Sequence, residues 1–243
     1  MMVKFCSMIN LYLPKATLRI NVLLLGLLIP QSLLALELTP FEAHYQASRS
    51  GMNLGKASQT LTHLGRNQYK FAYHSEASFL FLSDKRTEES LFSLVDGKLV
   101  PYKYHFSRSG TGKDKAISLV FDARRQQIQV NADDTLPWQG EIDNQLYQLD
   151  VRSGLAKGEQ EFAYQTINDR GELRQQKFRV VGKETLTLPY GELACIKLEK
   201  VREDSPRETF IWFAPSLDYQ MVRLQQFKEG DEQADIQLTK FSR

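Results

Sequence analysis

The sequence predicts a mainly β protein: a strongly curved antiparallel sheet or incomplete β-barrel of roughly 10–12 strands with one short helix. Apolar and polar residues alternate with a period of two through most of the chain beyond residue 36, as they do in strands that bury one face. Turn-forming pairs such as Asp96-Gly97 recur at short intervals. Only the segment at residues 143–155 has the spacing of an amphipathic helix.

The first 35 residues differ in character from the rest. Three basic residues and no acid precede an apolar run at residues 22–29, and Ala35 supplies a small residue at a cleavage point. This is the layout of a secretory signal peptide, and the run is shorter than the roughly 20 residues of a membrane span. We expect residues 1–35 to be a signal peptide and residues 36–243 to be a single β-rich periplasmic domain without a stable transmembrane segment. A retained anchor is the alternative.

Charge and cysteine content argue against nucleic-acid binding and against an intramolecular disulfide. Removal of a leader with three basic residues and no acid takes the formal net charge from +2 to −1, so the surface carries no electrostatic footprint for nucleic acid. Cys6 lies in the leader, which leaves Cys195 without a partner for an intramolecular disulfide. We expect Cys195 to pack as a small apolar residue and not to act as a nucleophile.

The N-terminal half is predicted to be a series of hairpins. Two strands at residues 41–48 and 56–64 lead to an aromatic ladder of Tyr69, Phe71 and Tyr73 on one face of the next strand. A charged strand at residues 84–94 and the Asp96-Gly97 turn lead to a second ladder. The second ladder consists of Tyr102, Tyr104 and Phe106.

The C-terminal half begins with the helix. Residues 133–141 before it are expected to form an extended linker, and Asp143 is placed to cap the helix. Separate strands are predicted at residues 161–168, 173–181 and 184–188.

The sheet is expected to be organised around residues 194–227, which predict three successive strands. The middle strand has large apolar residues at odd and even positions, so both of its faces should be covered. The alternation slips at Val201 and at Phe227. Each slip predicts a β-bulge, which bends a strand and curves the sheet.

The sequence lacks the usual patterns of catalytic and metal sites, and no cofactor or metal is predicted. The histidines are scattered over separate strands, and no His-x-His or Cys-x-x-Cys spacing occurs. The glycine-containing stretch at residues 109–113 departs from a phosphate loop and is expected to be a turn. Glu88, Glu89, Glu203 or Asp204 would supply a carboxylate pair for a glycan hydrolase, a third and weaker hypothesis.

The aromatic ladders carry the leading functional hypothesis, a non-enzymatic protein that binds a lipid-like or other apolar small molecule inside the curved sheet. The alternative is a solid core of the same rings in an envelope protein–protein interaction module. An outer-membrane barrel is disfavoured because charges interrupt both faces of most strands. The residues predicted to line the ligand slot are Tyr69, Phe71, Tyr73, Tyr102, Tyr104, Phe106, Phe210 and Trp212.

Five segments resemble the bacterial family called domain of unknown function 3108. The resemblance implies an exported envelope protein with a strongly bent antiparallel sheet, and it implies no activity or catalytic residue. The segments are Arg-Thr-Glu-Glu-Ser at 86–90, residues 104–113, Pro-Tyr-Gly at 189–191, Val-Arg-Glu-Asp at 201–204, and Trp-Phe-Ala-Pro at 212–215 with Asp218 and Tyr219.

Overall fold

The computed structural model describes residues 38–132, 134–203 and 205–243, so the predicted leader lies outside the described residues. Within them the chain forms fifteen strands, a helix α1 (Tyr147–Ala156) and a 3-10 turn (Pro215–Leu217). No helix in this part of the chain is long and apolar enough to cross a membrane. The strands are β1 (Phe41–Arg49), β2 (Met52–Gly65), β3 (Gln68–Phe79), β4 (Leu82–Val95), β5 (Lys98–Gly110), β6 (Lys115–Asp122), β7 (Gln127–Val130), β8 (Asp134–Pro137), β9 (Ile142–Asp143), β10 (Glu161–Ile167), β11 (Leu173–Leu188), β12 (Gly191–Val201), β13 (Arg207–Ala214), β14 (Gln220–Lys228) and β15 (Asp231–Ser242).

All fifteen strands belong to one sheet, in the order β8-β7-β6-β5-β4-β3-β2-β1-β15-β14-β13-β12-β11-β10-β9. Neighbours pair antiparallel, including β1 with β15, except that β9 runs parallel to β10. The predicted curved antiparallel architecture is confirmed. The number of strands exceeds the roughly 10–12 predicted from alternation because the short β8 and β9 and the C-terminal β15 are added.

Register shifts bend the sheet at several points. The irregularity predicted at Phe227 is confirmed, because the β14–β15 register shifts between Gln226 and Phe227, and the extra residue is Gln233 of β15. The bulge predicted at Val201 is wrong: β12 pairs regularly with β13, and Val201 is the last residue of its strand. The shift lies instead in the partner strand β11, between Val180 and Gly182.

The two halves of the sheet curl towards each other without closing. Ile167 at the end of β10 packs with the buried residues of β5, β6 and β7. In the next turn, a Cβ added to Gly171 would lie 2.8 Å from Val130 Cγ1, and Lys115 lies 3.9 Å from the carboxylate of Asp169. The result is an incomplete barrel.

Strand direction sorts the turns into two ends of this barrel. The upper end carries the turns after β1, β3, β5 and β14; there Ser50 N donates to Glu232 Oε1 at 2.6 Å. The lower end carries the turns after β2 and β4, where Leu94 N donates to Asn67 O at 2.8 Å.

Helix α1 lies inside the curve and fills its lower part. Leu149 and Leu155 are buried in the main core cluster together with Phe41 from the lower end of β1. The predicted helix is confirmed, but Asp143 does not occupy its N-cap position. Its Oδ1 accepts the N–H groups of Gln145 and of the following residue at 3.0 and 3.1 Å, closing the turn that leads into the helix.

The three strands predicted in residues 194–227 are confirmed as β12, β13 and β14. The C-terminal part of β13 is buried on both faces, as predicted. The predicted linker at 133–141 is wrong for Asp134–Pro137, which pairs with β7 as β8; residue 133 lies outside the described residues. The two strands predicted at 173–181 and 184–188 are one continuous bulged strand, β11.

Candidate functional site

Strand register assigns the predicted lining residues to the two faces of the sheet. The concave face is the one that carries Ser90, because Gln145 beside α1 donates to its hydroxyl at 3.0 Å. Ser90 pairs directly with Phe71 and with Tyr104, and directly paired residues share a face. The predicted lining residues on this face are Tyr69, Phe71, Tyr73, Tyr104 and Phe106.

Most of these five rings are part of a solid core. Phe71, Tyr104 and Phe106 are fully buried against other side chains, and Tyr69 stacks on the ring of Phe92 with centroids 5.6 Å apart. Tyr73 is half-buried, and burial raises the pKa of its hydroxyl. Phe71 of the first ladder therefore packs in the main core with α1, whereas Tyr104 and Phe106 of the second ladder pack in the smaller cluster with β6 and β7.

Phe210 and Trp212 lie on the opposite, convex face. Trp212 donates its indole N–H to Glu184 Oε1 at 2.6 Å. The ammonium of Lys197 lies 4.6 Å from the centroid of Phe210, and the guanidinium of Arg223 lies 5.2 Å from that of Trp212. These residues form an aromatic and cationic cluster on that face, and Trp212, which is 2% exposed, also belongs to the main core cluster.

Tyr102 joins neither group. It is the extra residue of a bulge, since the partners in β4 pass from Lys103 to Pro101 without pairing it. It packs in neither core cluster. The structure thus does not bring the eight predicted lining residues around one slot.

A buried carboxyl group, Asp143, and a half-buried one, Glu88, lie on the concave side near the start of α1. Tyr104 donates its hydroxyl to Glu88 Oε2 at 2.9 Å, and burial raises the pKa of Glu88. Asp143 is 0% exposed, and burial raises its pKa from 3.8 to about 7 against the opposing effect of its hydrogen bonds. Two protonatable acids therefore share this wall.

Basic groups at the end of β12 and directly after it face these acids across the interior. Burial lowers the pKa of Lys200 to about 8, and its ammonium lies 5.8 Å from the ring of Phe178. Burial and the nearby Arg207 lower the pKa of Arg202. Burial raises the pKa of Tyr147, and the charges of Glu88 and Arg202 act on its hydroxyl in opposite directions. Tyr147 therefore lies between the acidic and the basic side chains.

A pocket of about 410 Å³ opens at the upper end of the concave face, between the ends of β2 to β5. Side chains of Leu54, Ala77, Phe79 and Leu82 supply its apolar wall. Its other lining residues are Ser78, Ser83, Asp84, Arg108, Thr111 and Gly112.

The charged side of this pocket contains the carboxylate of Asp84 and the guanidinium of Arg108, and Arg86, which does not line the pocket, contacts the same carboxylate. Arg86 donates to Asp84 Oδ1 at 2.7 Å and Arg108 donates to Asp84 Oδ2 at 2.6 Å. Burial alone would raise the pKa of Asp84, but these two hydrogen bonds lower it. Two guanidinium groups therefore share the carboxylate of Asp84, and Arg86 also interacts with the charge of Glu88, two residues further along β4.

The pocket is bounded by an apolar hairpin tip between β3 and β4. Leu80 and Phe81 at this tip are 82% and 95% exposed. Sequence reasoning missed the tip because Phe79 continues the alternation of the ladder. The available signal was a run of four apolar residues, 79–82, at a place where two strands must be joined by a turn.

The other predicted chemistries find little support in the geometry. Of the acids proposed for a hydrolase, Glu88 lies inside, Glu89 faces outwards beside His105, and Glu203 is exposed; residue 204 lies outside the described residues. The carboxyl group near Glu88 is Asp143, which sequence spacing did not indicate. Within the described ranges no group of three His, Cys, Asp or Glu residues is arranged to hold a metal ion.

Comparison with known proteins finds a family and a fold. The sequence profile described as "Protein of unknown function (DUF3108)" matches residues 40–237. A crystal structure of a β-barrel-like protein of domain of unknown function DUF1849 from Brucella abortus has a TM-score of 0.62 at 9% identity, covering 86% of this chain and 99% of that chain. That similarity concerns the fold alone.

Two further solved structures are more distant. A putative exported protein with a YmcC-like fold from Bacteroides fragilis has a TM-score of 0.34 at 11% identity, over 84% of this chain and 95% of its own. A DUF1089 family protein from Pseudomonas aeruginosa has a TM-score of 0.33 at 11% identity, over 72% and 86%. No curated protein matches the chain significantly.

Proposed function

The chain belongs to the DUF3108 family of proteins of unknown function, and from the site we propose that it is an exported, periplasmic, non-enzymatic binding protein. Its ligand is a lipid-like molecule with an acidic head group, held in the upper pocket of the curved sheet. Export is supported by the leader pattern in residues 1–35. The single β-rich domain is residues 36–243.

The pocket at the upper end carries this proposal. Its volume of about 410 Å³ falls in the range of small-molecule sites, roughly 300–1,000 Å³. One wall is apolar, from Leu54, Ala77, Phe79 and Leu82. Such a wall gains free energy by removing an acyl chain from water.

The charged side of the pocket selects the head group. Asp84 neutralises only one of the two guanidinium groups that contact it. A carboxylate or phosphate would pair with the remaining positive charge, and arginine binds both through its planar donors. An acyl chain with such a head group matches both sides of the pocket.

The solid packing of the ladders changes the predicted location of the ligand. Because α1 and the buried rings occupy the lower interior, we place the ligand at the open upper end. The interaction module with a solid core remains the alternative, and it predicts no lipid in the purified protein.

Filling the pocket tests the proposal. Titration of residues 36–243 with the fluorescent fatty acid cis-parinaric acid should give saturable binding, and Ala77→Phe should weaken it at least tenfold by occupying the apolar wall. Ala72→Phe is the matched control, because Ala72 lies on the same strand, is half-buried, and points to the opposite face.

The head group is tested with the matching fatty alcohol as a competitor. We expect it to displace the probe less well than the fatty acid does. Absence of saturable binding, or an equal loss of affinity in Ala77→Phe and Ala72→Phe, would contradict a site at this position.

A further inference from the structure

The tip of the β3–β4 hairpin exposes more apolar surface than any other turn among the described residues. Leu80 and Phe81 are 82% and 95% exposed, and the flanking Phe79 and Leu82 are 43% and 61% exposed. Single exposed apolar residues are common, but four in succession at a protruding turn leave a contiguous patch in water. The patch is convex, so its side chains can insert into the surface of a partner.

The tip is held in this conformation by the neighbouring β5–β6 loop. Thr111 accepts the N–H of Ser83 at 2.8 Å and donates its hydroxyl to Phe81 O at 3.2 Å. Its own N–H donates to Ser83 O at 3.0 Å. Gly110 permits the close approach, since a Cβ there would lie 2.2 Å from Ser83 O. These contacts attach the tip to the β5–β6 loop.

The charges around the tip favour an anionic surface. The two hairpin ends, residues 76–86 and 108–115, contain five basic residues and three acidic ones, and Lys115 also lies 3.9 Å from the carboxylate of Asp169 outside these ranges. The excess is positive although the chain without its leader is nearly neutral. Basic residues beside an apolar insertion strengthen binding to anionic lipids.

We infer that the β3–β4 tip inserts into the surface of an anionic lipid bilayer and docks the upper end of the barrel on the membrane. Leu80 and Phe81 enter the boundary between head groups and acyl chains, while the basic residues of the adjacent turn contact lipid phosphates. The contact is peripheral and reversible, because it involves two large side chains and a small charge excess.

This membrane contact is distinct from ligand binding. Leu80 and Phe81 do not line the pocket, whereas Phe79 and Leu82 on either side of them do. Docking therefore places the pocket opening next to the lipid surface. The two activities can be lost separately, so failure of one does not remove the other.

The test uses residues 36–243, which contain all fifteen strands and both core clusters, and vesicles of phosphatidylethanolamine and phosphatidylglycerol. We expect flotation with these vesicles, and much weaker flotation with phosphatidylcholine vesicles or at high salt. The double variant Leu80→Ser/Phe81→Ser should bind at least tenfold more weakly. It should still bind cis-parinaric acid.

The matched control is Leu64→Ser/Val95→Ser. These residues are 48% and 43% exposed and lie at turns of the lower end. The control should bind vesicles like the unchanged protein. Equal weakening by both double variants would show general apolar adhesion and overturn the inference.

A direct measurement uses Phe81→Trp. Its emission should shift to shorter wavelength on addition of the anionic vesicles and should be quenched by brominated acyl chains. An unchanged spectrum would overturn the insertion of the tip. Analytical ultracentrifugation tests whether the tip instead mediates self-association. A dimer that disappears in Leu80→Ser/Phe81→Ser would assign the tip to contacts between copies of the chain and not to lipid.

Discussion

The ionisation of Asp143 offers a quantitative test of the packing around α1. Its carboxyl group is 0% exposed, and burial raises its pKa from 3.8 to about 7. Between these values the folded protein holds a proton that the unfolded chain has released, so the free energy of unfolding must fall as pH rises. One pKa unit corresponds to about 1.4 kcal/mol. The group should therefore remove roughly 3 kcal/mol of stability between pH 5 and pH 8.

The substitution Asp143→Asn isolates this effect. Asparagine keeps an oxygen that accepts the N–H groups of Gln145 and Leu146, but it carries no charge at any pH. Urea unfolding should show that the variant gains stability relative to the unchanged protein as pH rises, by roughly 3 kcal/mol from pH 5 to pH 8. The comparison cancels the titrating groups that do not interact with Asp143; Glu88 is not among them, because its charge contributes to the raised pKa of Asp143. Parallel pH profiles would refute the buried, protonated state of Asp143.

Three further predictions concern the stability of the fold and the burial of Cys195. Leu149→Ala should cost about 2–5 kcal/mol in urea unfolding because Leu149 is fully buried in the core, whereas Ser153→Ala on the same helix should change stability little. Gly55→Ala should destabilise strongly and lower the melting temperature, since its Cβ would lie 1.9 Å from a carbonyl oxygen of β3; the same change at Gly51, where the space is open, should cost only backbone strain. Cys195 is buried, and burial raises its pKa to about 11, so a thiol reagent at pH 8 should label it rapidly in urea and slowly without it.

Most strands could be predicted because a strand that buries one face alternates apolar and polar residues in its own sequence. Along β3, residues of one parity face the core and those of the other face solvent, so local alternation reports the strand directly. The helix was predictable for the same reason, with apolar residues at a different period. The register shift at Phe227 was visible as a slip in the alternation of β14, although its extra residue is Gln233 of β15.

Other features depend on partners that the alternation of a single strand does not reveal. Tyr102 keeps the parity of Tyr104 and still leaves the ladder, because pairing with β4 inserts it as an extra residue. Trp212 looks like a core residue of the interior, yet register places it on the convex face with Arg223. The proximity of Glu88 and Asp143 arises only when α1 enters the curve, since neither element contains both.

The position of the pocket follows from a change in side-chain size along paired strands. Near the lower end of the barrel the concave face of β2 and β3 carries the pair Leu61 and Phe71, which packs against the main core. Towards the upper end the paired positions become small, ending with Gly55 opposite Ala77. With the same backbone spacing, smaller inward side chains leave room that the core does not fill. The taper of one hairpin therefore accounts for both the solid lower interior and the open upper site, and a large side chain at Ala77 should extend the solid core to the rim.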